Sequence, residues 1–100
     1  MHVADLYDGD PAKERSNIAR HGLTFLDGYR VLTTPAADRL TIEDTRRDYG
    51  EPRWITVGAH PQMPAIILHV TYTWRGDRPR LISVRRANSR ERKRHASRHA

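Results

Sequence analysis

From residue 65 to 75 the chain reads AIILHVTYTWR, and its side chains alternate. Ile66, Leu68, Val70, Tyr72 and Trp74 fall on one side; Ile67, His69, Thr71, Thr73 and Arg75 fall on the other. A period of two is that of a β-strand, whose successive side chains point to opposite faces. Three further stretches share it. DRLTIED (38–44) places Leu40 and Ile42 together, RWITVG (53–58) sets Trp54 and Thr56 against Ile55 and Val57, and RLISVRR (80–86) is the last. EDTRRDYGEP (43–52), HPQMP (60–64) and GDRP (76–79) separate them and carry the Gly, Pro and Asp of turns. VADLY (3–7) is a short strand candidate.

The pattern before Pro35 is different. Asp10 precedes Pro11, an acid at the cap and proline at the first helical position, so a helix is predicted over PAKERSNIARH with Gly22 as its stop. Its only large apolar residue is Ile18, beside Ala12 and Ala19. That helix should lie on the surface, with Lys13, Asn17 and Arg20 or His21 outward. Thr24 with Asp27 starts a second helix, whose Phe25, Tyr29 and Leu32 share one face before Pro35 ends it. Asn88 with Glu91 caps a third, over 89 to about 97. Helices followed by strands predict a single α+β domain over residues 1–100, with helices on one face of an antiparallel sheet. The other face of such a sheet can be wet. Here it would carry His69, Thr71, Thr73 and Arg75, joined in suitable register by Ser83 and Arg85.

Charge changes the picture because of where it sits. Residues 1–84 carry 11 basic and 11 acidic side chains, whereas 85–100 carry seven basic (Arg85, Arg86, Arg90, Arg92, Lys93, Arg94, Arg98) and one acidic, Glu91. The whole net charge of +6 therefore lies in the last sixteen residues. A basic patch on a neutral body is the footprint of a polyanionic partner; the alternative is a solvated terminal helix. Absent cysteines exclude disulfides and thiolate metal sites. MHVADLYDGD lacks the apolar core of a signal peptide, and the run Ala65–Val70 is too short to cross a bilayer. A cytoplasmic protein with no membrane partner is expected.

Most catalytic chemistries find no footing. His95 and His99 are spaced i, i+4, but no carboxylate or thiolate completes a metal site, so no metal and no cofactor are expected. No serine sits in a Gly-x-Ser-x-Gly elbow, the glycines are isolated, and Glu43 and Asp44 point to opposite faces of a strand. What remains is arginine on and after a sheet face. Arginine grips phosphate bidentately and stays charged. Such a site can cleave RNA without metal: the 2′-OH attacks its own phosphorus, guanidinium groups stabilise the pentavalent charge, and a side chain moves protons. His95 or His69 is the side-chain type that titrates near neutrality. Against this, Arg75 at a hairpin end fits an ordinary solvated edge residue.

The chain also resembles a family. YDGDPAKERSNIARHGLTFLDGYRVL (7–32) is similar to the opening of BrnT-type toxins, matching at Tyr7, Asp8, Pro11, Lys13, Asn17, Arg20, His21, Gly22 and Phe25. GEPRWITVG (50–58) matches a second block at Gly50, Glu51, Arg53 and Gly58. VTYTWR with RLISVRRANSRERKRH (80–95) resembles the closing blocks, through Tyr72, Thr73, Arg75, Arg80, Ile82, Ser83, Arg85, Ala87, Glu91 and Arg92. The resemblance implies a RelE-like α+β fold and a toxin of a type II toxin–antitoxin pair that cuts RNA and inhibits translation. It further implies a BrnA-like ribbon-helix-helix antitoxin, whose complex with the toxin binds operator DNA. The candidate catalytic residues are Arg53, Arg75, Arg85 and His95; the candidate RNA-binding residues are Lys13, His21, Tyr72, Ser83, Arg86 and Arg92. Two departures stand out. AHPQMPA between strands is longer than usual, and His95 stands where the last helix commonly has a tyrosine. Either it replaces that tyrosine as a proton carrier or it marks a weakened enzyme. A non-catalytic nucleic-acid-binding or regulatory module is the alternative, and a third reading has the basic end docking an acidic antitoxin segment.

Overall fold

Each helix begins where a capping side chain meets its free N–H groups. The computed structural model describes residues 5–98, with α1 at Pro11–His21, α2 at Phe25–Leu32 and α3 at Ser89–Ala96. Asp10 accepts from the Ala12 N–H at 2.9 Å, and Gly22 closes α1 at φ 68°, a left-handed conformation open to glycine. Thr24 with Asp27 and Asn88 with Glu91 form reciprocal capping boxes.

The strands are β1 (Asp8–Gly9), β2 (Arg39–Glu43), β3 (Trp54–His60), β4 (Met63–Arg75) and β5 (Arg78–Arg86), ordered β1-β5-β4-β3-β2 in one sheet. Pairing is antiparallel except for the short parallel contact of β1 with β5. The expected strand over 3–7 lies partly outside the described residues; residues 5–7 are not extended ladder, and the strand is Asp8–Gly9. The β3–β4 turn is tighter than expected, since β4 already begins at Met63.

Strict alternation fails once. Thr71 pairs with Ser83 but Tyr72 pairs with Leu81, so Ile82 is an extra residue in β5. That bulge brings Leu81 and Val84 to the same face, although they are three residues apart. They join Leu23, Phe25, Val31, Leu68, Val70 and Tyr72 in the main core, under α1 and α2. α2 lies close because Gly28 has no Cβ; one added there would stand 2.5 Å from Val84 Cγ2.

Two expectations are corrected. Asn17, expected outward, is the one buried residue of α1, while Ile18 is 44% exposed. The Asn17 amide donates to Leu23 O and Val84 O and accepts from the Val84 N–H, each at 2.9 Å. Its side chain thus continues the sheet beyond β5, where β1 has ended, and satisfies backbone groups that would otherwise be orphaned. The helices also do not share one face. α3 packs on the opposite side, where Ala87 and Ile67 meet Ile55 and Val57 in a second, smaller apolar cluster.

Candidate nucleic-acid interface

Register decides which side chains share the face opposite α1 and α2. Thr71 lies between Ile55 on β3 and Ser83 on β5; His69 lies between Val57 and Arg85. Directly paired residues project to the same side. Thr73 and Arg75 follow along β4, and Arg53, one residue before Trp54, completes the row. From His69 to Arg75 the strand advances about 20 Å at roughly 3.3 Å per residue. The arginines therefore form two clusters at opposite ends of one face.

At one end stand Arg53 and Arg75. Arg53 lies over the Tyr49 ring, with its guanidinium carbon 4.1 Å from the ring centroid. Tyr49 is placed by Asp44, which accepts its hydroxyl at 3.0 Å and is gripped bidentately by Arg46 at 2.8 and 2.9 Å. Arg46 holds the Asp44 carboxyl well below the usual carboxylate range. Thr73 Oγ1 donates to Pro52 O at 2.6 Å and pins the loop from the sheet side. Arg75 is half exposed, and its Nη2 is 3.5 Å from Glu51 Oε1. Asp44, Tyr49 and Glu51 lie in the polar segment 43–52 that reads as a turn, with Asp44 weighed only as half of an acid pair with Glu43. Glu51 was visible as a resemblance match; the Asp44–Tyr49 support had no sequence signal beyond the clustering of polar residues.

The other end is closed by its own carboxylate. Arg85 donates through Nη1 and Nη2 to the two oxygens of Glu91, both at 2.9 Å, and again from Nη1 to Arg86 O at 3.1 Å. That bidentate grip pulls the Glu91 carboxyl down to about 2. His69 Nε2 is 3.5 Å from Glu91 Oε2. Burial, and then the Arg85 charge, push the His69 imidazole below its ordinary value.

Between the clusters runs a groove of about 460 Å³. Leu40, Ile42, Ile55, Val57 and His69 line its floor, and Arg46, Arg90 and Arg94 stand at its sides. Among the described residues, two buried side-chain nitrogens lack a partner, Arg53 Nε and His69 Nδ1. Both belong to residues of this face. Native structures leave such groups unpaired rarely, and a ligand or water is one reason they do.

The ten residues proposed from sequence separate in space. Arg53, Arg75, Arg85 and Ser83 share the face. Lys13 and His21 meet Ser83 in a shallow groove of about 320 Å³ at the α1 border, where Arg20 adds a charge that sequence reasoning left unassigned. Arg92 is exposed on α3 and donates to Ala87 O at 2.9 Å. Arg86 pairs with Leu68 and so turns toward the opposite face. Tyr72 is in the main core, 5% exposed, with its hydroxyl 2.9 Å from Thr56 Oγ1. His95 is buried, and its Nε2 donates to Asp38 O at 2.8 Å, which fixes α3 to the start of β2. His99 lies outside the described residues. Among the described residues no group of three or more His, Asp or Glu side chains is arranged to hold a metal, and no helix is long and apolar enough to cross a membrane.

Comparison with known proteins places this geometry in a family. Residues 10–91 match the model of a family described as the ribonuclease toxin, BrnT, of type II toxin–antitoxin systems. The chain is also similar to the ribonuclease toxin BrnT of Brucella abortus, known from a 1.1 Å crystal structure. The two are 24% identical, with a TM-score of 0.57 over 83% of this chain and 96% of that one. No curated protein matches the chain.

Proposed function

Because this chain belongs to the BrnT family of type II toxin–antitoxin ribonuclease toxins, we propose that it is a metal-independent endoribonuclease that inhibits translation by cutting RNA. The observation that carries this reading is the open cluster of Arg53, Arg75 and Glu51. Neither arginine is held in a bidentate carboxylate grip: Arg53 stacks on Tyr49 with its buried Nε unpaired, and Arg75, half exposed, only approaches Glu51. Arg53 and Arg75 donate to the non-bridging oxygens of the scissile phosphate, where negative charge grows as the 2′-OH attacks phosphorus. Glu51, beside Arg75, accepts the 2′-OH proton. The P–O5′ bond breaks, leaving a 2′,3′-cyclic phosphate on one fragment and a 5′-OH, protonated from solvent, on the other. Arg85 is held by Glu91 at the far end of the face, where it ties α3 to the sheet, and takes no step. His95 is committed to Asp38 and takes no step. Lys13, His21, Ser83 and Arg92 guide the RNA backbone across the face and its borders.

A ribbon-helix-helix antitoxin would bind this toxin in the cytoplasm, and the pair would bind operator DNA. The test is RNA cleavage by the purified chain in excess chelator. Arg75→Ala should lower the rate about 10²–10³-fold, as loss of one transition-state donor does, with unchanged thermal melting. Wild-type cleavage by Arg75→Ala would remove the site from this cluster. RNA binding without cleavage by the unmodified chain would favour a non-catalytic binding module.

A further inference from the structure

We propose that the outer edge of β2 pairs with the same edge of a second copy of this chain, joining two sheets across a two-fold axis at Thr41. The inference is independent of the RNA reading.

It begins with where the backbone groups of β2 point. The Asp44 N–H donates to Arg53 O at 2.7 Å, and the β2–β3 register pairs Leu40 with Val57 and Ile42 with Ile55. Hydrogen-bonded pairs alternate along an antiparallel ladder. Residues 40, 42 and 44 therefore turn their N–H and C=O toward β3, and 39, 41 and 43 turn theirs outward. The Arg39 N–H is bonded to Ala36 O. The outward groups of Thr41 and Glu43, and Arg39 O, have no strand beside them, since β2 ends the sheet.

The segment RLTIE is self-complementary in one orientation. Antiparallel pairing centred on Thr41 sets Arg39 opposite Glu43 of the partner subunit and Leu40 opposite Ile42 of the partner subunit. Parallel pairing in register would set Glu43 against the partner's Glu43, and like charges directly opposite destabilise a ladder. The two-fold arrangement makes four new backbone hydrogen bonds: two between the Thr41 residues, and one from each Glu43 N–H to the opposing Arg39 O. Glu43 is exposed and has no side-chain partner among the described residues.

Apolar surface points the same way. Ile42 is 41% exposed on an edge strand, and it shares its face with Leu40 and the groove floor. Sheet edges that stay single are blunted by proline, bulges or charged side chains; β2 has no proline and no bulge, and its two charges, Arg39 and Glu43, are of opposite sign and so complement each other across a two-fold axis. Pairing would cover Ile42 and join the two groove floors into one stripe. A five-residue ladder buries little area, so this is a weak interface that fills at high protein concentration.

The test is sedimentation velocity on the full chain across a concentration series. The expected result is a reversible monomer–dimer equilibrium. Thr41→Pro removes an outward N–H without touching the β3 ladder, and Glu43→Lys sets a cation against Arg39; each should abolish the dimer. Melting measured at low concentration should be unchanged in Glu43→Lys, which keeps the test decisive if proline disturbs the strand. A monomer up to the solubility limit overturns the proposal, as does a dimer indifferent to both substitutions. If the chain stays monomeric and the variants weaken antitoxin binding instead, the edge takes a heterologous strand and self-pairing is wrong.

Discussion

The sheet has one face that is finished and one that is not. Under α1 and α2 the polar atoms are paired off internally. Asn17 uses three hydrogen bonds to Leu23 and Val84, and the hydroxyls of Tyr72, Thr56 and Thr41 form a chain of contacts at 2.9 and 2.8 Å. His60 has both ring nitrogens engaged, one with Asp27 Oδ1 at 2.9 Å and one accepting from the Gln62 N–H at 3.1 Å. On the other face, Arg53 Nε and His69 Nδ1 are buried and unpaired, and Ile42 lies open at the edge. The same strands make both faces. What differs is that helices have supplied the partners on one side, while α3 covers only part of the other. The unpaired groups all lie on the face that the helices leave partly uncovered.

The strongest way to break this contrast is at Asn17. Asn17→Ala leaves Val84 N–H, Val84 O and Leu23 O without partners, and each buried unsatisfied group costs roughly 1–3 kcal/mol. The expected loss is about 3–5 kcal/mol, read as a lower urea midpoint, which is a large part of the whole stability of a domain this size. Arg75→Ala on the open face should change stability by less than about 0.5 kcal/mol. Comparable losses at the two sites would erase the distinction between the faces. A smaller effect is expected at Gly28. Its absent Cβ would stand 2.5 Å from Val84 Cγ2 and 3.2 Å from Val70 Cγ1. Gly28→Ala must lift α2 from the sheet, at about 1–3 kcal/mol, and the added helix propensity of alanine offsets only part of that. Cleavage of RNA should be retained at temperatures where the variant stays folded, because the open face does not touch α2.

Local chemistry was the legible part of this chain. Both ends of α1 and the starts of α2 and α3 follow from caps within a few residues of each helix end. The polar row His69, Thr71, Ser83, Arg85 was legible from a period of two, and the register matches it. Burial of Asn17 was not, because its partner Val84 is 67 residues away and the helix has no apolar stripe to orient it. The β5 bulge was hidden for a related reason: period two cannot show where a ladder skips. Tyr72 shows a conflict between two kinds of reasoning. Alternation set it with Leu68 and Val70, where it is; the resemblance marked it as RNA-binding, which its buried hydroxyl does not serve. Glu91 was read as a cap and is one, but its grip on Arg85 needed α3 to fold back over the sheet.

The finest test uses pH, because the open face holds two groups shifted in the same thermodynamic sense but in separate windows. Glu91 falls from its ordinary value of 4.5 to about 2, chiefly through the hydrogen bonds from Arg85. A depressed carboxyl contributes stability that is present above its unfolded value and is lost as pH falls from about 4.5 toward 2. With the side chain one-fifth exposed, screening reduces the effect to about 1–2 kcal/mol. His69 is also depressed, by burial and then by the Arg85 charge. For a histidine this means that the unfolded chain takes up a proton below about 6.5 while the folded chain resists it, so stability falls as pH drops through that point. Glu91→Gln keeps a capping side chain for α3 but should make the melting-temperature profile below pH 4.5 less steep, with Asp44 still contributing to the acid limb, and leave the shoulder near 6.5 in place. His69→Gln should remove the shoulder and leave the acid limb. If RNA or a short phosphate-containing oligonucleotide pairs His69 Nδ1, the shoulder should also shift when it is added. A shoulder that ignores both His69→Gln and RNA would locate the pH response away from this face, and the contrast drawn from the unpaired nitrogen would fail.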